Sequence, residues 1–368
     1  MAGPDVVAYA SLSRLAGHLM SLRQLNILNI GLMLGSCAAA FCFPFELFLL
    51  AYAVLGPLHY LTEISWLHSR GYFTSSRGDA VALGAGAIAL LLLRFVLDLD
   101  NAADWAAAVV LVLFVAALAF TLTTTPLLKA ALVGAALVAA AWVSGMDATQ
   151  TLLLTFVPTI IHVFVFTALF ILYGSLRGRS VSWTGLASLA VFVACSTSFF
   201  LFRPPPALQL PGEYVRSTYA LFADVNVALA SWLRMPSLEA PDALYGSAGG
   251  IALMRFIAFA YTYHYLNWFS KTSVIQWHKI PVAWTVANVV LWVGALGLYA
   301  WNYRTGMLVL FALSWLHVLL EFPLDHRTFL GIGREIGALL RTPGAAPAIA
   351  TAGPPSRRRS PSLPRPGR

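Results

Sequence analysis

The chain has 368 residues, of which 59% are hydrophobic and only 10% are charged, and its formal net charge is +8. An ordinary soluble domain has roughly 25% charged residues, so this composition excludes soluble globular, disordered and collagen-like proteins. Its three cysteines form no CxxC motif, which argues against a disulfide framework or a zinc finger.

Ten apolar stretches of about 20 residues predict ten transmembrane helices. Most connections between them are short, which is typical of a helical bundle. We therefore expect an all-α, polytopic integral membrane protein surrounded by the lipid bilayer. The predicted spans are 26–42, 45–67, 79–98, 103–122, 127–145, 151–174, 183–201, 249–269, 281–301 and 305–322.

The chain divides into three predicted parts. Residues 1–25 lack the pattern of a cleavable signal peptide and are expected to form an interfacial segment. Residues 26–340 form the transmembrane domain, with an insertion on the outer side at about 203–247. Within this insertion, 213–234 is expected to lie along the membrane surface. Residues 341–368 are rich in proline, serine and arginine and predict a disordered basic tail.

The Lys and Arg residues of the predicted loops indicate the orientation. With both termini in the cytoplasm, twelve of these residues lie in or beside the inner loops and four in the outer loops. The positive charge therefore reflects membrane orientation and the basic tail, and nucleic-acid binding is not indicated. The expected location is a bacterial inner membrane.

The histidines are the most informative polar residues. In the predicted topology, seven of the eight gather at the cytoplasmic side, although they come from four separate stretches of the chain. Ionisable groups within membrane spans are costly and usually functional. These seven are His59, His68, His162, His264, His278, His317 and His326.

Two stretches share the pattern H-x3-E-x4-H. Residues four apart lie on one face of a helix, so His59 can act together with Glu63, and His317 with Glu321. Imidazole and carboxylate together suit iron, zinc, copper and manganese.

The last histidine of each stretch lies nine positions after the first and would point to the opposite side of an unbroken helix. His68 and His326 can therefore join the same site only if the helix ends first. Pro323 predicts a break at Phe322, and Gly71 predicts a helix end just after His68.

These patterns predict a metal site with one or two ions. Iron is favoured, and zinc, manganese and copper stay open. No HExxH, Walker A, GxGxxG or GxSxG motif is present, so a zinc protease, a nucleotide enzyme and a serine hydrolase are not indicated. The candidate ligands are His59, Glu63, His68, His162, His264, His278, His317, Glu321 and His326.

A histidine-rich cytoplasmic face on a multi-span bundle resembles the membrane non-haem-iron enzymes. These include fatty-acid desaturases and hydroxylases and the bacterial β-carotene-cleaving dioxygenases. The desaturase boxes HxxxH and HxxHH are absent here, and isolated histidines on separate spans are more similar to the carotene-cleaving type. The resemblance implies iron-dependent oxidation of a lipophilic small molecule by O2, with an electron-donor protein as a further partner.

Two other functions remain open at this point. A transporter of metal ions or of a proton-coupled solute would need polar residues across the whole membrane, and the outer halves of the histidine-bearing spans are almost wholly apolar. Pro158, just before His162, is the best argument for a transporter, because a kinked helix is common in such proteins. A bis-histidine haem protein is the third interpretation.

Overall fold

The structure is a computed structural model that describes residues 20–96, 102–143, 145–177, 181–202, 211–236, 238, 243–276 and 279–341. Within these ranges the regular elements are all helices, as predicted. Ten of them have 18 or more residues, and they form a helical bundle. In chain order they are α1 (Leu22–Cys42), α2 (Pro44–Ser69), α3 (Arg77–Phe95), α4 (Ala102–Leu122), α5 (Pro126–Val143), α6 (Asp147–Leu176), α7 (Trp183–Leu201), α8 (Ala248–Ser270), α9 (Val282–Trp301) and α10 (Tyr303–Leu340).

Eight of these helices are long and apolar enough to cross a membrane, which indicates an integral membrane protein. The other two, α3 and α8, coincide with the predicted spans 79–98 and 249–269. Helix α8 is buried along most of its length and packs against α1, α2, α6 and α7. A helix enclosed by protein needs no apolar surface for lipid, so α8 can carry Tyr, His and Asn side chains.

Helices α5 and α9 form part of the periphery. Large apolar side chains on both are exposed, among them Val138 and Trp142 on α5 and Val290 and Trp301 on α9. Such a surface is compatible with lipid, which has no polar group to satisfy. The polar residues of the protein are therefore concentrated in the interior helices.

Two of the interior helices contain π-helical segments. One spans Ala51–Leu55 in α2, and the other spans Thr151–Phe166 in α6. Pro158 lies inside the second segment, where its missing N–H removes a backbone hydrogen bond and favours a wider turn. Segments of this kind are frequent at functional sites, because they change the direction of the side chains that follow.

Helix α10 continues without a break for 38 residues, so the predicted break at Phe322 is wrong. Pro323 lies inside the helix, and both residues are buried. We attribute the continuity to packing, because the surrounding helices hold the backbone on both sides of the proline. In contrast, α2 ends at Ser69, and Gly71 follows with a positive φ of 58°, which matches the predicted helix end.

In the predicted insertion, where the sequence predicts a helix over 213–234, two α-helices, Glu213–Tyr219 and Ala223–Trp232, are joined by the 3-10 turn Ala220–Phe222, and a short helix, Ala243–Gly246, follows. Most of the N-terminal segment and the basic tail lie outside the described residues. The division into three parts therefore stays a prediction.

Candidate metal centre

Four helices bring one histidine each to the same place in the bundle. These are His59 on α2, His162 on α6, His264 on α8 and His317 on α10. All four are buried, with at most 7% of the residue exposed. One ring nitrogen from each lies within 4.8 Å of the others. The cluster can hold a metal ion.

The four rings are arranged edge to face around a common centre. The Nε2 atoms of His59 and His264 are 3.1 Å apart, and those of His162 and His317 are 3.0 Å apart. Neighbouring ring centroids are separated by 4.7–5.3 Å. Nitrogens at 2.0–2.1 Å from one metal are about 2.9 Å apart at a right angle and about 3.3 Å apart at a tetrahedral angle. These two pairs therefore suit neighbouring ligands of one first-row metal ion, and the four nitrogens together lie within 4.8 Å of one another.

Two of the histidine rings are oriented by neighbouring side chains. Thr167 Oγ1 lies 2.9 Å from Nδ1 of His264, which leaves Nε2 directed at the centre. Tyr60 stacks on His317 with ring centroids 4.3 Å apart, and its hydroxyl lies 2.8 Å from that of Tyr265. Supporting contacts of this kind set the tautomer and the angle of ligating imidazoles.

Carboxyl groups surround the cluster on one side. Glu63 Oε2 lies 3.1 Å from Nε2 of His59, on the side of the ring that faces the centre. Glu321 Oε2 lies 3.2 Å from Nδ1 of His162, behind the ring. The two carboxyl groups are also within hydrogen-bonding reach of each other. Glu63 can therefore bind the metal directly, whereas Glu321 can hold the His162 ring.

A third carboxyl group, that of Asp325, lies one turn after Glu321 on α10 and is 1% exposed. Neither of its oxygens has a hydrogen-bond partner among the described residues, and the same holds for Glu63 Oε2 and Glu321 Oε2. Buried carboxylates without partners cost several kcal/mol. A bound cation would compensate this charge, and the carboxyl groups have no ion pair to Lys or Arg within the described ranges.

The structure does not bring every predicted ligand to the cluster. His68 is exposed near the end of α2, where its Nδ1 is 3.2 Å from the Tyr72 hydroxyl and its ring stacks on Trp284. His326 is buried on another face of α10 and donates from Nε2 to the carbonyl of Phe114 at 2.8 Å. We no longer regard either as a candidate ligand. His278 lies outside the described residues.

The sequence analysis did not identify the supporting residues Thr167, Tyr60 and Tyr265. Thr167 follows His162 by five positions on α6, but its partner is His264 on another helix. No local spacing could reveal this pair. Tyr265 is adjacent to His264 in the sequence, but its hydroxyl partner is that of Tyr60, 205 positions away.

A cavity of about 310 Å³ reaches the cluster. His59, His264, Glu63 and Glu321 line its inner end, and its walls are mostly apolar. A concave site with a largely apolar surface and placed polar groups is the usual form of a small-molecule site. A molecule in this cavity would lie beside the metal ligands.

No family model, no curated protein and no solved structure matches this chain. The functional argument therefore rests on the geometry of the cluster and its cavity. That geometry defines a histidine-rich site in a membrane bundle that can hold a metal ion, with a cavity next to it.

Proposed function

We propose that this protein is a membrane-embedded metalloenzyme in which His and Glu side chains hold one or two iron ions. Its reaction is the oxygenation, hydroxylation or desaturation of a lipophilic small molecule. The observation that supports this proposal best is the opening of a largely apolar cavity onto two of the four buried imidazoles, those of His59 and His264. A purely structural metal would not need access for a ligand.

The chemistry of the donor set favours iron. Imidazole and carboxylate ligands without thiolate suit iron, manganese, zinc and copper, and among these iron is the usual choice for O2 chemistry. When bound with an open position, iron would activate O2 and withdraw electrons from the substrate. An electron-donor protein would supply electrons where the reaction consumes them.

The side chains of the chain have separate tasks in this proposal. The four imidazoles bind the metal, and Glu63 completes the ligand set on the side of His59. Glu321 Oε2 lies 3.2 Å from Nδ1 of His162 and would hold that ring with its Nε2 directed at the metal. The apolar walls of the cavity hold the substrate and exclude water from the metal ligands.

Metal analysis of anaerobically purified protein tests the proposal. We expect near-stoichiometric iron in the wild-type protein and loss of the metal in His162→Ala and His264→Ala. His68→Ala is the matched control and should keep its metal. Absence of iron, manganese, zinc and copper from the wild-type protein would overturn the proposal. If the wild-type protein holds metal, comparison of lipid extracts from cells that express the wild type and cells that express His264→Ala identifies the product.

Transport of a metal ion or of a proton-coupled solute is the second candidate. The observation in its favour is the long π-helical segment of α6, which contains both Pro158 and His162. Ion uptake into vesicles that disappears in His162→Ala, in a protein without oxidised product, would favour transport. A bis-histidine haem site fits poorly, because the four rings contact one another and leave no space for a macrocycle between them.

A further inference from the structure

The cavity that reaches the histidine cluster has opposite charges at its two ends. Its inner end carries the carboxyl groups of Glu63 and Glu321. Its other end carries Arg177 and Lys271, which directly follow the last residues of α6 and α8. His264 and Lys271 are seven residues apart, which corresponds to about 10 Å along a helix. The Lys271 backbone therefore lies on the order of 10 Å from that of His264 along the helix.

Lys271 differs from the other partly buried cations of the protein. Lys129 is paired with Asp79 at 2.7 Å, and Arg255 donates to the backbone carbonyl of Phe41 at 3.1 Å. The Lys271 ammonium group has neither an ion pair nor a hydrogen bond to any residue in the described ranges. Burial lowers the pKa of Lys271 to about 8, so the group still carries its proton at neutral pH. Its three donors remain available for an anion in the cavity.

The surface of the cavity is mostly apolar and includes Phe170 and Ile171. Apart from the histidines, the two glutamates, Arg177 and Lys271, the polar side chains that line it are neutral. One of them, Asn29, already accepts a hydrogen bond from the Tyr263 hydroxyl at 3.1 Å. A molecule that fills the cavity would therefore meet a largely apolar surface with neutral polar groups, and would find a cation only at Lys271 and Arg177.

We propose that Lys271 and Arg177 form a subsite for the acidic end group of an amphiphilic substrate whose apolar part extends to the histidine cluster. The subsite rests on the proposed function and specifies its substrate class.

Binding of two probes to the purified protein tests this proposal. The probes are radiolabelled palmitate and hexadecanol, which share a chain length and differ in the acidic group. The protein is held in nanodiscs of phosphatidylcholine, so that no anionic lipid competes. We expect Lys271→Gln to weaken palmitate binding by about tenfold, and Arg177→Gln to weaken it less, because Arg177 is more exposed. Hexadecanol should bind equally to all variants.

Two further variants separate a charge effect from a folding effect. Lys271→Arg keeps the charge and should bind palmitate within about threefold of the wild type. Lys279→Gln removes an exposed cation that does not line the cavity and should leave palmitate binding unchanged. Equal losses of palmitate and hexadecanol in Lys271→Gln, or full palmitate binding in that variant, would overturn the proposal. Binding of inorganic phosphate without binding of hexadecanol would also overturn it, because the site would then serve a free anion.

The same samples distinguish the failure of this inference from the failure of the proposed function. Metal-loaded protein that binds palmitate independently of Lys271 would refute the subsite alone. Metal-free protein that binds palmitate through Lys271 would refute the metalloenzyme and leave an acidic-amphiphile site. The metal content of each sample must therefore be measured beside its binding constants.

Discussion

The two H-x3-E-x4-H stretches are 59–68 on α2 and 317–326 on α10. They have the same residue spacing, but their histidines and glutamates are only partly alike in position and burial. In both, the first histidine joins the cluster and the glutamate lies beside an imidazole. In both, the last histidine leaves the cluster, because nine helical positions turn it to the opposite face. The comparison shows that helical geometry alone separates the residues of each stretch into two groups.

The two stretches differ in burial and in side-chain position, which depend on helix packing and not on residue spacing. Helix α2 ends at Ser69, so His68 lies at an exposed helix end. Helix α10 continues to Leu340, so His326 is buried against Phe114 of α4. Glu63 faces the centre of the cluster, whereas Glu321 lies behind a ligand ring. Equal spacing therefore predicts neither equal burial nor equal roles.

The largest expected effect comes from removing the first histidine of either stretch. In His59→Ala or His317→Ala the metal loses a direct ligand, and we expect bound metal to fall below about a tenth of the wild-type content, since loss of a merely supporting partner already costs 10–100-fold. Elemental analysis of the purified, monodisperse protein measures this. His68→Ala is the matched control. Retention of metal in both variants would refute the ligand set.

Substitution of the two glutamates tests the difference in their roles. Glu321→Gln should weaken metal affinity by about 10–100-fold and leave the metal coordination unchanged, because Glu321 acts through His162. Glu63→Gln should change the coordination itself. The visible spectrum of cobalt-substituted protein reports both. Identical cobalt spectra for wild type and Glu63→Gln would contradict direct ligation by Glu63.

Removal of His326 should affect stability and spare the metal. His326→Ala removes a buried hydrogen bond to the Phe114 carbonyl and leaves a gap between α4 and α10, so we expect a loss of about 1–3 kcal/mol in the free energy of unfolding. Denaturation in detergent measures it. His326→Gln can still donate and should recover part of the loss. Metal loss in His326→Ala would contradict this expectation and would show that His326 contributes to the metal site.

The smallest effect is expected for His68. His68→Ala removes an exposed side chain that contacts Tyr72 and Trp284, so the free energy of unfolding should change by less than about 0.5 kcal/mol. Thermal denaturation beside His326→Ala measures the contrast. Equal destabilisation by the two substitutions would show that the different burial of the stretches has no energetic consequence.

Part of the candidate site could be predicted because it is local. The pairs His59–Glu63 and His317–Glu321 follow from the four-residue spacing, and the opposite placement of His68 and His326 follows from the nine-residue spacing. The prediction of a break at Pro323 failed because tertiary packing holds the helix on both sides of the proline. His162 and His264 have no partner within their own helices, so the sequence could suggest only that they lie at the same depth in the membrane.

The sequence by itself determined that this protein is an all-α bundle of apolar helices and approximately where its long helices lie. Those properties depend on composition and on periods of a few residues. Only the tertiary structure decided that His162 meets His317, that Thr167 meets His264 and that one cavity connects Lys271 with the cluster. Such contacts join residues as much as 205 positions apart, as His59 and His264 are, and they depend on which helix faces pack together.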